Sequence, residues 1–258
     1  MRKYSQDSLR PTDRRDERLI LDAHVHCGLT LPFERVHSRW VAGGIGGGLL
    51  ISPVEEVYDR YDYSFTDSEY YAKSRQAVHR YLLSLDRPNL YRLWFVWNDF
   101  AVPEKGFSGI KWHRHSYEPN YNYASPACEV FIQHAVKEQL PILLEEEFHN
   151  TLEFVERIDG RTIVIIPHMG GLNGGYQSLK RAGIFDRDNI FVDTALGSEG
   201  EIANFVRSYG SDRIMFGSDY PFGDPASEKR KVERLFEGEE LEKILSLNAI
   251  KVYGKKTT

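Results

Sequence analysis

Eight short apolar runs, set apart by amphipathic stretches, constrain the fold of this chain more than any other feature. They fall at residues 19–23, 48–52, 91–96, 109–112, 141–144, 162–167, 190–193 and 214–217. Several are nearly free of polar side chains, as expected of parallel strands buried on both faces. Helical patterns fill 69–85, 126–139, 151–158, 175–182, 199–209 and 227–236, and a last helix is expected at 239–250. Some carry start signals: Ser125 stands before Pro126, and Asn150-Thr151 before Leu152. Parallel strands need crossover connections, so eight in succession predict an α/β fold, a (β/α)8 TIM-like barrel, rather than an open doubly wound sheet. Two connections are thin: 97–109 is too short for a full helix, and 33–42 offers only a short one.

The 258 residues match the roughly 250 of one such barrel. Residues 19–258 are therefore read as a single domain, and the charged residues 1–18 as a loosely ordered N-terminal arm or a tail on a partner subunit. The formal charge of −5 is spread along the chain, which argues against a nucleic-acid partner. No apolar run approaches the roughly 18 residues of a membrane span, so no membrane partner is expected. Two cysteines, Cys27 and Cys128, are too few for a disulfide framework, and nothing resembles a signal peptide. A cytoplasmic protein with reduced thiols is expected. Cys27 has no evident activating base and reads as a small packed residue.

In a barrel of this kind, catalytic groups stand at the C-terminal ends of the strands. The first strand ends at His24 and His26, the fourth at Lys111 and His113, and the fifth at Glu145, Glu146 and Glu147. The sixth ends at His168 and the eighth at Asp219. Alternate residues of a strand share a face, so His24 and His26 can ligate one metal ion, with a carboxylate completing the sphere. Asp219 answers either to a cation of the protein or to that metal. His168 either braces a Gly-rich turn or handles a proton or a carbonyl oxygen. The glycine run at 43–48 fits no phosphate-binding pattern and reads as a flexible active-site loop leading into strand two. Tyr117, Tyr121 and Tyr123 should overhang the barrel mouth.

The run Leu21-Asp22-Ala23-His24-Val25-His26 resembles the opening of the amidohydrolase superfamily, in its amidohydrolase-related (amidohydrolase 2) branch. Gly109-Ile110-Lys111 with His113, Ile165-Ile166-Pro167-His168-Met169-Gly170-Gly171 and Met215-Phe216-Gly217-Ser218-Asp219-Tyr220-Pro221 follow in matching order. Asn248-Ala249-Ile250 with Tyr253-Gly254 is similar to the C-terminal signature. The resemblance implies a distorted barrel of the metallo-dependent hydrolase type, holding one divalent metal or sometimes two. It implies hydrolysis of C–N, C–O or ester bonds, lactone opening or non-oxidative decarboxylation.

One position departs from the pattern. Counting from Pro141, Glu145 stands where the branch commonly carries a metal-binding histidine. The implied metal ligands are then His24, His26, Glu145 and Asp219, with Glu147 as the competitor of Glu145. Alternatively, Glu145 pairs with Lys111 and the metal is weak or absent. Zn2+ is the expected ion, with Mn2+, Fe2+ or Ni2+ as alternatives. Lys111 and His113 are expected to bind substrate, the carbamylated bridging lysine of other branches being the minority reading for Lys111.

The expected activity is a metal-dependent hydrolase acting on a small amide, ester or lactone, with Asp219 as base and His168 as oxyanion partner. A decarboxylase of an aromatic or vinylic acid, with Lys111 and Arg114 as anion binders, is the alternative. A metal-free lactonase and a non-catalytic barrel come behind these, and a homodimer would be unsurprising for the branch.

Overall fold

The structure, a computed structural model, describes residues 18–254. Apart from Arg18, the arm expected at 1–18 lies outside the described residues. Eight parallel strands form one sheet in sequential order. They are β1 Leu21–His26, β2 Gly47–Ile51, β3 Leu90–Phe95, β4 Gly109–His113, β5 Ile142–Glu145, β6 Val164–Ile166, β7 Ile190–Asp193 and β8 Ile214–Met215. The expected (β/α)8 barrel is thus the fold. It is nearly closed: β8 meets β1 not by a regular ladder but by a bridge at Val25 and Tyr220. Backbone bonds from Ala23 N to Phe216 O (2.7 Å), Asp219 N to His24 O (2.7 Å) and His26 N to Tyr220 O (2.9 Å) hold that seam.

The strands are apolar because both of their faces are covered. Leu49, Leu50, Leu143, Leu144, Ile165 and Val192 are all fully buried. The helices outside are α1 Phe33–Gly43, α2 Glu69–Ser84, α3 Pro126–Lys137, α4 Phe148–Ile158, α5 Tyr176–Arg181, α6 Glu199–Tyr209, α7 Pro225–Leu235, α8 Gly238–Glu242 and α9 Asn248–Tyr253. The Ser125 start signal holds, with its hydroxyl accepting from Ala127 N at 3.2 Å. The Asn150-Thr151 signal does not: α4 begins at Phe148, because both side chains bond back to Glu146 instead of capping. No helix fills the stretch between β3 and β4, as the spacing predicted. The expected last helix is broken into α8, a π turn over Lys243–Leu247, and α9. There Asn248 donates to the carbonyls of Ser211 and Ile214, both at 2.7 Å, which docks this segment against β8.

The glycine run is not an active-site loop. Gly43 ends α1, Gly44 caps it at φ 66°, and β2 starts at Gly47, so the run enters the N-terminal end of its strand, away from the mouth. Its glycines serve close approach, since a Cβ on Gly48 would lie 2.2 Å from Asp22 O. No helix among the described residues is long and apolar enough to cross a membrane.

Candidate active site

Three side chains from the two ends of the sheet meet at the mouth. His24 Nε2 lies 3.5 Å and His26 Nε2 3.2 Å from Asp219 Oδ1. The hydrogen bonds on the far sides of the rings define the tautomers. His24 Nδ1 faces Asp193 Oδ2 at 2.8 Å, and His26 Nδ1 faces the Ser52 carbonyl at 3.3 Å. Both partners can only accept, so each Nδ1 carries a proton, and a neutral ring then presents an Nε2 lone pair to Asp219.

Burial, with the Lys111 charge nearby, holds the His24 imidazole below its ordinary value and keeps it neutral. Among the described residues, His24 Nε2 and Asp219 Oδ1 are buried without any hydrogen-bond partner. Two lone pairs facing an anionic oxygen, all buried, form an arrangement that a cation completes. The donor set, two imidazoles and a carboxylate whose atoms lie within 4.8 Å of one another, fits a divalent metal.

Glu145 is held otherwise. On β4 and β5, His113 and Glu145 are register partners. The Lys111 ammonium, fully buried, bonds Glu145 Oε2, while Oε1 accepts from His115 Nε2 at 3.0 Å and His168 Nε2 at 3.2 Å. His113 Nε2 lies 3.7 Å from Oε2. Burial opposes ionisation of Glu145, yet Lys111 and the surrounding imidazoles hold its pKa well below the ordinary carboxylate value. Glu147 precedes α4 without capping it and accepts from Arg114 at 2.7 Å, and Glu146 takes bonds from Tyr123 and Asn150. The His24, His26 and Asp219 cluster forms without Glu145 or Glu147.

His168 joins the two groups. Its Nδ1 must donate to Ala195 O (3.1 Å) and its Nε2 to Glu145 (3.2 Å), so both nitrogens bear protons and the ring is an imidazolium. Its pKa agrees: burial would lower it, but the Glu145 carboxylate raises it to about 9. Asp219 Oδ2 lies 4.0 Å from the same nitrogen. His168 and Asp219 both occupy the left-handed region, at φ 55° and 53°, which side-chain-bearing residues adopt mostly where surrounding structure forces it.

Above this floor opens a cavity of about 190 Å3. His26, Arg60, His113, His115, Glu145 and Asp219 line its polar side, and Val54, Leu172, Leu196 and Phe222 its apolar side. His113 therefore faces the cavity, whereas Lys111 is not among its lining residues. Of the tyrosines expected at the mouth, Tyr117 is exposed and Tyr121 is buried against Trp112 at a ring separation of 4.4 Å. Tyr123 donates to Glu146.

Sequence reasoning passed over Asp193, Asp22, Arg60 and His115. Asp193 orients His24, and its other oxygen accepts from His168 N at 2.9 Å. It ends β7, so the strand-end rule that found Asp219 points to it as well. Arg60 and His115 lie beyond strand ends, where periodicity carries no signal.

Residues 153–255 match the family model described as amidohydrolase. A search of curated proteins gives no match. Among solved structures, a Pseudomonas putida protein provisionally named a 2-pyrone-4,6-dicarboxylic acid hydrolase is 15% identical, with a TM-score of 0.68, over 93% of this chain and 99% of that one. A 2,6-dihydroxybenzoate decarboxylase from Rhizobium is 15% identical, TM-score 0.70, over 92% of this chain and 98% of the other. The 5-carboxyvanillate decarboxylase of Sphingomonas paucimobilis is 12% identical, TM-score 0.68, over 92% and 99%. The structures share the fold. The family match bears out the amidohydrolase resemblance and the reading of the chain as an enzyme of that superfamily.

Proposed function

Starting from an amidohydrolase signature on an amidohydrolase barrel, we propose that the chain is a metal-dependent hydrolase of a small carbonyl substrate, an amide, ester or lactone. The observation that carries this reading is the pair of Nε2 lone pairs, from His24 and His26, directed at ionised Asp219 without a proton between them. His24, His26 and Asp219 would hold the ion. Imidazole and carboxylate donors suit zinc, and manganese, iron and nickel also fit the set. When bound, such an ion supplies Lewis acidity and a water of lowered pKa.

The protein's own groups divide the remaining work. Asp219, which lines the cavity, accepts the proton of the attacking water and returns it to the leaving group. His168 carries the positive charge that answers the developing oxyanion, and its Nε2–H moves from Glu145 to do so. Lys111 and the imidazoles keep Glu145 ionised beneath the substrate, and His113 lines the place where substrate sits. Val54, Leu172, Leu196 and Phe222 receive its apolar part.

A second reading, decarboxylation of a small aromatic or vinylic acid, is supported by the imidazolium of His168, a proton donor held beside Asp219. Two of the similar structures are named as decarboxylases. Lys111 and Arg114 do not supply its anion-binding group, being paired to Glu145 and to Glu146 and Glu147. Arg60 lines the cavity wall, but it too is paired, to Glu118 and Glu55.

Metal analysis of protein purified without added ions, followed by screening of lactones, esters, amides and aromatic acids, tests both. Metal near one equivalent with hydrolysis of a carbonyl substrate supports the first reading, and CO2 release supports the second. Protein that neither carries nor takes up a divalent metal sinks both.

A further inference from the structure

We infer that Asp22 is the positioning residue of the proposed metal site, setting the distance between the His24–His26 pair and Asp219. The inference rests on the metal reading above and adds to it a residue that touches neither metal nor substrate. Asp22 is fully buried one turn of the pleat before His24, and its carboxylate has four donors. Oδ1 accepts from Ser218 N at 2.8 Å and from His24 N at 3.3 Å, while Oδ2 accepts from Ser218 Oγ at 2.6 Å and Trp40 Nε1 at 3.1 Å. Two of the four come from the residue just before Asp219, and a third from the backbone of His24.

The Ser218 hydroxyl extends the link. It donates to Asp22 and accepts from Tyr220 N at 3.2 Å, so it straddles Asp219 from both sides. Asp219 itself sits at φ 53°, in the left-handed region that few residues with side chains adopt. The regular ladder between β8 and β1 is missing at this point, which leaves the side-chain link and a few backbone bonds to fix the separation of the ligands. Both Asp22 oxygens accept here, three of the four partners being N–H groups that can only donate. An Asn in its place offers one acceptor oxygen and turns its NH2 toward an N–H donor.

The legs of the link separate positioning from mere stability. Trp40 ties Asp22 to α1, and Ser218 ties it to the turn that carries Asp219. Zinc affinity of the metal-free protein is measured by competition with a chromophoric chelator, together with the metal-free melting point, for wild type, D22N, S218A and W40F. The expected result is a loss of zinc affinity of about tenfold or more for D22N, in the range for groups that orient metal ligands. S218A should show a smaller loss, and W40F an affinity within about twofold of wild type despite a lower melting point.

Should D22N fail to fold, S218A against W40F decides. Unchanged affinity in D22N and S218A overturns the inference, as does a loss that follows the melting point across all three variants. Wild-type protein that binds no zinc overturns the metal reading itself, and the role of Asp22 with it. Tight binding by wild type and variants alike overturns the role alone.

Discussion

Glu145 stands where the resemblance places a histidine, and its carboxylate is taken up by Lys111, His115 and His168 rather than left open toward the metal cluster. Removing one side of a buried ion pair leaves an uncompensated charge, so Lys111→Met should destabilise the protein by about 3 kcal/mol, read by urea unfolding. Asp219→Asn keeps the shape but removes both the base and the charge of a proposed metal ligand. Turnover should fall by a factor on the order of 10^2 to 10^4 with an unchanged circular dichroism spectrum, and retained turnover would remove Asp219 from the mechanism.

His168 gives a pH signature in the metal-free protein. Its folded pKa is raised from 6.5 to about 9, so its contribution to stability is fully present below pH 6.5 and disappears as pH rises through 9. Wild type should therefore lose stability over that window, and His168→Asn should show a flatter profile in melts across it. At this scale the sequence exposed His24, His26, His168 and Asp219, because strand-end position and residue type suffice to mark them. It did not show that Asp193 sets the His24 tautomer or that Asp22 grips Ser218. Those pairings join β1 to β7 and β8 through side-chain directions that no local pattern encodes.

At the scale of elements, all eight strands were legible from their apolar runs, while their ends were not. β1 continues through His26, since the histidines are strand residues with their side chains turned into the mouth. β8 stops at Met215, where Gly217-Ser218-Asp219 leaves the sheet under the hold of Asp22. Helix starts were legible only where the capping side chain had no better partner. Ser125 is such a case. Ser198 caps α6 as well: its hydroxyl accepts from Glu201 N, and Glu201 answers Ser198 N at 3.1 Å. Ser198→Ala should cost about 1 kcal/mol in thermal or urea melts and leave turnover unaffected, since α6 lies outside the site. A loss of activity there would mean that α6 reaches the mouth.

Across the whole molecule, the barrel follows from the count and the order of the strands, whereas the thinness of its β8–β1 seam does not. A ligand that binds only the folded state stabilises by mass action, by about 2.7 kcal/mol at a hundredfold excess over its dissociation constant. Zinc added to metal-free protein should therefore raise the melting temperature, and a chelator should reverse the rise. No shift would argue against the cluster as a metal site.

The seam also dates the site within the life of the molecule. Asp22 and Ser218 stand 196 positions apart, and the ligands flank them. A chain still being synthesised offers the two histidines early but lacks the aspartate until its last strand has left the ribosome and docked on its first. Any ion that the site takes up therefore waits until β8 has been made and has docked on β1.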